Sequence, residues 1–465
     1  MKKLLSLLVL ASLVLTLLPV TAFAAPLPQE EGQSYVIQKA DWLSKLAEKY
    51  LGNVNAWPAI MLATNKMAET DSSFAKIENP DVIEPGWKVW IPGTKEAETL
   101  LAEYKPAAAP VGKLKIAFVY VGPLGDLGWN YAQDVGRKMI EQKFGNQVET
   151  TYIENVPEGP EAERVIRDFA QKGYKLIFTT SFGFMDPTIA VAKEFPNTWF
   201  VHISGYKTAE NVSTVFGRME QPRYLSGLVA GKATKSNIVG YVAAFPIPEV
   251  IRGINAFTLG VREANPEAEV RVVWTNTWFD PPKEKEAADA LLDQGADVIA
   301  QHQDTTEPQK AAKDKGVVSI GYDSDMAAFV GDTVLTSPVW NWGVKYVDIA
   351  KRVMDGTYAS EAYYGGLKEG VVGLAPLSPR VPDDVKALVE QKKNLMISGE
   401  WNIFCGPVKA SDGRVVVPEG YCMTDPEILS MDWWVEGVKG EVPGTAPEKA
   451  GEPRENVLPK TVGQP

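Results

Sequence analysis

Aromatic and acidic residues recur together where apolar runs of this chain end. One run is followed by Gly122-Pro123-Leu124-Gly125-Asp126-Leu127-Gly128-Trp129-Asn130, another by Ser181-Phe182-Gly183-Phe184-Met185-Asp186. Further along come Phe245-Pro246-Ile247-Pro248-Glu249, Asn276-Thr277-Trp278-Phe279-Asp280, His302-Gln303-Asp304-Thr305, Asp323-Ser324-Asp325 and Trp340-Asn341-Trp342. Aromatic faces stack on flat rings, and carboxylates accept hydrogen bonds from ring N–H groups. The set therefore reads as a clamp for a planar, nitrogen-rich heterocycle. Its candidate contacts are Trp129, Asn130, Phe182, Asp186, Trp278, Phe279, Asp304, Asp323, Asp325 and Trp340. Singly, each has another explanation: a strand-end aromatic is commonly core, and Asp126, Asp186 and Asp280 each suit a helix N-cap. His202 and His302 read as hydrogen-bonded structural residues. Recurrence in both halves of the chain is what favours the clamp.

Other chemistries find little support. The chain holds two histidines and two cysteines, too few for a zinc centre or a thiol–histidine enzyme. A hydrolase using Asp304 or Asp323 as base is the enzymatic alternative, but no nucleophile–base–orienter set accompanies either, and Gly-x-Ser-x-Gly is absent. The glycines at 122, 125 and 128 lack the dinucleotide spacing, and Pro123 removes an amide donor. No cofactor is implied. The net charge of −12 repels phosphate backbones, so nucleic acid is not an expected partner.

The elements that position these residues alternate from residue 113 onward. Strands are expected at 115–121, 175–180, 198–204, 238–243, 270–275, 298–301 and 317–321. Helices are expected at 130–144, 161–172, 187–195, 223–234, 249–264, 283–294 and 308–315. Unbroken apolar runs such as Ile116-Ala117-Phe118-Val119-Tyr120-Val121 suit strands covered on both faces. Repeated βαβ units imply an α/β fold with doubly wound parallel sheets, whose ligands sit beyond the carboxyl ends of the strands. Residues 113–440 exceed one such sheet, so two lobes with a cleft are expected: lobe 1 over about 113–237, lobe 2 over about 238–335, and the remainder crossing between them.

The whole chain has 465 residues, 45% hydrophobic and 23% charged, enough for about three folding units at roughly 150 residues each. Lys2 and Lys3 precede an apolar run from Leu4 to Val20 and then Thr21-Ala22-Phe23-Ala24-Ala25. This is an export signal with cleavage expected after Ala24, an uncleaved anchor being the alternative. No cysteine lies near the cleavage point, so no lipid anchor is expected there. Outside the cytosol Cys405 and Cys422 could join as a disulfide across a hairpin turning at Asp412-Gly413, or stay as two thiols. Residues 35–93 form a first unit, strand–helix–helix–strand. Residues 94–112, a charged helical piece and then Pro106-Ala107-Ala108-Ala109-Pro110, read as a linker. Residues 441–465, rich in proline and charge, read as a disordered tail.

Two resemblances follow. Tyr35-Val36-Ile37, Leu43 through Tyr50-Leu51-Gly52, Trp57-Pro58-Ala59-Ile60, Asn65, Pro85-Gly86 and Ile91-Pro92 resemble a lysin-motif (LysM) domain, a family that grips peptidoglycan or chitin. Lys39-Ala40-Asp41-Trp42 stands where that family has Gly-Asp-Thr. Residues 113–440 resemble the basic membrane protein family of two-lobed, periplasmic-binding-protein-like (type I) receptors. The match rests on Gly125-Asp126-Leu127-Gly128-Trp129-Asn130, Tyr224-Leu225-Ser226-Gly227-Leu228, Ile247-Pro248-Glu249-Val250, Gly321-Tyr322-Asp323-Ser324-Asp325, Leu335-Thr336-Ser337 and Gly366-Leu367-Lys368-Glu369-Gly370. That resemblance implies delivery of a purine or nucleoside to the membrane subunits of an ABC importer, without catalysis. It implies one ring face on Trp129, the other on Trp278 or Phe279, and polar edges on Asp323 or Asp325. Nucleoside-binding members place a lysine after the Thr-Ser pair; here Trp340 stands there and would fill the sugar space, which favours a free adenine-like base. The first segment would hold the receptor against peptidoglycan. A wall-associated sensor without a transport role is the alternative.

Overall fold

The computed structural model describes residues 31–39, 41, 43–53, 56–77, 83–104 and 113–441. The export segment, Pro106–Pro110 and nearly all of the expected tail lie outside them. The chain divides into two compact units, one over Met1–Ala108 and one over Ala109–Pro465.

The first unit runs β1 (Gln33–Val36), α1 (Leu43–Leu51), α2 (Trp57–Ala68), β2 (Lys88–Ile91) and α3 (Thr94–Glu103). β1 and β2 pair antiparallel. Asn65 joins α2 to the segment before β2: its amide donates to the Ile77 carbonyl (2.9 Å) and its oxygen accepts the Ile77 N–H (2.7 Å). α3 falls in the stretch expected as linker, yet Ala97 and Leu100 pack on Ala59 and Ala63 of α2. The unit thus extends beyond residue 93, because a short helix with two apolar positions on one face can be buried without a strong periodic signal.

The second unit carries β3 (Leu114–Val119), α4 (Trp129–Phe144), β4 (Val148–Ile153), α5 (Pro160–Gln171), β5 (Leu176–Thr179), α6 (Met185–Ala192), β6 (Trp199–Ile203), β7 (Val212–Gly217) and α7 (Glu220–Ala233). There follow β8 (Ile238–Ala243), α8 (Pro248–Ala264), β9 (Glu269–Trp274), α9 (Pro281–Asp293), β10 (Val298–His302), α10 (Glu307–Asp314), β11 (Val318–Ile320), α11 (Ala327–Val330) and β12 (Val334–Thr336). The chain closes with β13 (Pro338–Trp340), α12 (Trp342–Asp355), β14 (Ala362–Gly365), β15 (Val372–Leu374), α13 (Asp383–Ser398), β16 (Val408–Lys409), β17 (Val415–Val417), α14 (Asp425–Leu429) and β18 (Val438–Lys439).

Two six-stranded sheets form, in the orders β4-β3-β5-β6-β7-β14 and β18-β9-β8-β10-β11-β12, and every pairing in both is parallel. The alternation of β3 shows how sequence builds the layers. Ile116 and Phe118 enter one core while Ala117 and Val119 enter the core on the opposite face. α5 covers the second face with Ala162, Val165, Ile166, Phe169 and Ala170, the three-and-four spacing of an amphipathic helix.

The first crossing between lobes comes earlier than residue 237. α7 packs on α8, so closely that a Cβ on Gly227 would meet the Phe257 carbonyl oxygen at 2.1 Å, and one on Gly260 the Tyr224 carbonyl oxygen at 2.1 Å. α7 therefore belongs to lobe 2, and the chain crosses between β7 and α7. It crosses again on the antiparallel pair β13 and β15, between which α12 and β14 return to lobe 1. Cys405 and Cys422 are joined by a disulfide beside the antiparallel β16–β17 pair, and β18 completes the edge of the lobe 2 sheet.

Candidate functional site

The carboxyl ends of both sheets face one cleft. The cavity there measures about 360 Å³ with its opening to solvent included, and is lined by Val121, Trp129, Ser181, Phe182 and Ser204 of lobe 1 and by Glu249, Trp278, His302, Asp304 and Tyr322 of lobe 2. Strained backbone marks the strand ends: Leu127, Ser204, Asn276 and Asp323 all have φ between 55° and 71°. Such left-handed residues cost energy outside glycine and collect at binding sites.

On the lobe 1 side, Asp126 fixes the start of α4. Its carboxylate accepts from the N–H of Gly128 (3.0 Å), Asn130 (2.8 Å) and Tyr131 (3.0 Å), and from the Asn130 amide (2.8 Å). The helix start braced in this way presents Trp129, whose Nε1–H donates to the Thr180 carbonyl at 2.6 Å. Trp340 and Trp342 stack on each other at 4.3 Å and both meet the Trp129 ring edge-on, at 5.8 Å and 5.6 Å. The indole is thus anchored at its nitrogen and backed by two more. Ser181, beside Phe182, donates to Glu158 at 2.6 Å.

On the lobe 2 side, Trp278 leans edge-on against Phe245, centroids 4.9 Å apart. His302 ends β10 with its Nε2 3.6 Å from Glu249 Oε1 and its ring 4.7 Å from that of Tyr322. Burial pushes the His302 imidazole down to about 4, so it is neutral at physiological pH. Behind Tyr322 the buried Arg223 guanidinium lies 3.5 Å from the ring centroid and donates to the Gln301 carbonyl. The lobes touch at the rim: Ser324 donates to the Leu127 carbonyl, and Tyr131 meets Phe329 edge-on at 5.7 Å. Among the described residues no group of three or more His, Cys, Asp or Glu is placed to hold a metal.

Of the residues singled out in the sequence, Trp129, Phe182, Trp278 and Asp304 line this cavity. Six do not. Asn130 is fully buried, its amide committed to Asp126 and its oxygen accepting the Gly122 N–H (3.3 Å). Asp186 points to solvent and pairs with Lys207 at 2.5 Å. Phe279 is 37% exposed, outside the lining set. Asp325 accepts the Ala327 N–H (3.2 Å) at the start of α11. Asp323 and Trp340 are buried together, the Trp340 Nε1–H donating to Asp323 Oδ1 at 2.9 Å, so Trp340 supports Trp129 instead of occupying a sugar space. Glu249, His302 and Tyr322 were not among the expected contacts. An acid in the first turn after a strand and an aromatic directly before Asp323 are the signals that could have found two of them. His202 is a structural residue, hydrogen-bonded to Thr179 at 3.0 Å; His302 is a wall residue.

Residues 113–405 match the family model of PnrA-like ABC transporter substrate-binding proteins. The chain is 48% identical over 337 residues, 72% of its length and 96% of the relative's, to a purine-binding protein of Brucella abortus (strain 2308). It is 42% identical over 329 residues, 70% of its length and 81% of the relative's, to a candidate ABC transporter glucose-binding protein of Haloferax volcanii. Among solved structures, an ABC transporter solute-binding protein from Conexibacter woesei superposes with a TM-score of 0.53 at 25% identity, covering 62% of this chain and 98% of the other. With two parallel-sheet lobes facing one aromatic, acid-edged cleft, the chain belongs to the PnrA-like family of ABC transporter substrate-binding proteins.

Proposed function

We propose that the cleft captures a free purine base, adenine-like, holds it between closed lobes, and releases it unchanged to the membrane subunits of an importer. The cavity wall carries this reading: Trp129 and Phe182 from one lobe and Trp278 from the other, with Glu249, His302, Asp304 and Tyr322 supplying polar edges. Stacking contributes about 1–3 kcal/mol per base–aromatic contact. Closure is favoured because a ligand touches both lobes only in that state. The Brucella relative's purine-binding description points the same way. The choice of a free base over a nucleoside rests on the lining, which holds no Lys or Arg, the cation that ribose-binding members of the resembled family use. Titration calorimetry with adenine, adenosine and glucose tests this, with adenine expected to bind tightest. Tighter adenosine would overturn the choice of base, and glucose binding without purine binding would overturn the purine reading.

The same proposal places the mature chain outside the cytosol after cleavage behind Ala24, held to peptidoglycan by its first unit. The β1-α1-α2-β2 order supports that role. Sedimentation with purified peptidoglycan, comparing the full chain with one beginning at Lys113, decides it; equal sedimentation would end the idea.

A further inference from the structure

Asp304 differs from the two buried acids beside it, Asp126 and Asp323. It lines the cavity and is only 5% exposed, yet among the described residues its carboxyl receives no hydrogen bond. Asp126 accepts four donors, and Asp323 accepts the Trp340 N–H. Four acids act on Asp304: Asp323 after β11, Asp126 across the cleft after β3, Glu284 on α9 and Glu249 on α8. His302, on the same strand end, is neutral. The nearby buried cation, Arg223, gives Nη1 to the Gln301 carbonyl and lies on the Tyr322 ring, with Nε and Nη2 unpartnered among the described residues. The opposing lobe closes directly on this residue, since a Cβ on Gly128 would stand 2.3 Å from the Asp304 carbonyl oxygen. An ionised carboxylate enclosed here would lie among other acids and accept no hydrogen bond from the described residues.

Building on the purine reading, we infer that Asp304 takes a proton from solvent as the lobes close and, as the neutral acid, donates its O–H to a ring nitrogen of the ligand. The proton returns to solvent on opening, and no bond of the ligand changes. Burial and then the neighbouring carboxylates push the Asp304 carboxyl well above the usual range, the direction this requires. With Glu249 accepting an N–H and Asp304 donating, the wall would read a donor–acceptor edge such as the amino group and adjacent ring nitrogen of adenine. Asp304 is then a specificity-determining residue and capture is proton-linked.

Calorimetric titration of the full chain with adenine, in buffers of different ionisation heat at one pH, tests this. Uptake approaching about one proton per adenine is expected, with affinity falling up to about tenfold per pH unit as pH rises between the open-state and closed-state pKa of Asp304. In Asp304→Asn the buffer dependence and the pH slope should both vanish. A wild-type heat independent of buffer would overturn the inference while leaving the purine reading intact. Proton uptake persisting in Asp304→Asn would likewise overturn it. No adenine binding at any pH would overturn both.

Discussion

The Cα of Gly128 lies against the backbone carbonyl of Asp304, leaving no room for a methyl group: a Cβ there would be 2.3 Å from the oxygen. Gly128 precedes Trp129, so this contact, with those of Leu127 and Tyr131, couples the start of α4 to the opposing lobe. In Gly128→Ala, overpacking should cost closure about 1–3 kcal/mol. At about 1.4 kcal/mol per tenfold, adenine affinity should fall roughly 5- to 150-fold. The unfolding midpoint of the free protein should hardly move, because opening relieves the clash. Calorimetry and urea unfolding together check this, and unchanged affinity would mean that ligand is held without this contact.

The pairing of Trp340 with Asp323 has a stability consequence. Asp323 Oδ1 accepts the indole N–H at 2.9 Å while Oδ2 is buried without a partner. In Trp340→Phe the donor is lost together with the five-membered ring, leaving a buried carboxyl unsatisfied at a cost of about 1–3 kcal/mol besides the lost packing. Urea unfolding should show that loss, whereas equal stability would mean the hydrogen bond contributes nothing net.

Glu284 gives a pH dependence with a defined sign. Its carboxyl is buried, accepts from Thr305 Oγ1 and from the Asp280 N–H (3.0 Å), and burial raises its pKa from 4.5 to about 7. Because the folded value exceeds the unfolded one, its stabilising contribution is full below about 4.5 and is lost as pH rises toward 7. At about 1.4 kcal/mol per pKa unit the change is of order 3 kcal/mol. Urea unfolding of wild type and Glu284→Gln between pH 4.5 and 8 should show the variant lacking this part of the decline. Parallel curves would assign the decline elsewhere.

The disulfide between Cys405 and Cys422 closes the segment containing β16 and β17, apart from the cavity wall. Replacing both cysteines by serine should cost about 2–4 kcal/mol and speed amide exchange across residues 404–422. Adenine affinity should stay within about twofold, because no lining residue belongs to that segment. A large loss of affinity would show that the segment acts on the cleft.

Legibility in the sequence tracks apolar composition more than burial: β7 (Val212–Gly217) is buried throughout, yet Ser213, Thr214 and Gly217 interrupt its apolar run and it is not among the expected strands. Strands covered on both faces, such as Ile238–Ala243, stand out as apolar runs. The edge strand Val148–Ile153, with mostly exposed or half-buried residues, carries no such signal. Nor does the sequence around β7 and α7 show which lobe a helix will cover, since a buried face reads alike on either sheet. At the site, strand-end aromatics and acids were visible as a set, and Trp129, Phe182, Trp278 and Asp304 reach the cavity. Asn130 and Asp325 were drawn instead into turn and helix-start hydrogen bonds. Side-chain direction at a strand end depends on one or two backbone angles, such as the positive φ of Asp323, and residue type alone does not encode them. His302 and Glu249, far apart in sequence, become wall partners only through the adjacency of β8 and β10.

In the proposed complex, two lobes clamp a purine between Trp129 and Phe182 on one side and Trp278 on the other. A crystal structure with adenine should show the ring stacked in that gap, with a ring nitrogen within hydrogen-bonding distance of the Asp304 carboxyl. Adenine bound outside this cavity, or a cleft in which Trp129 and Trp278 turn away from the ring, would contradict this arrangement.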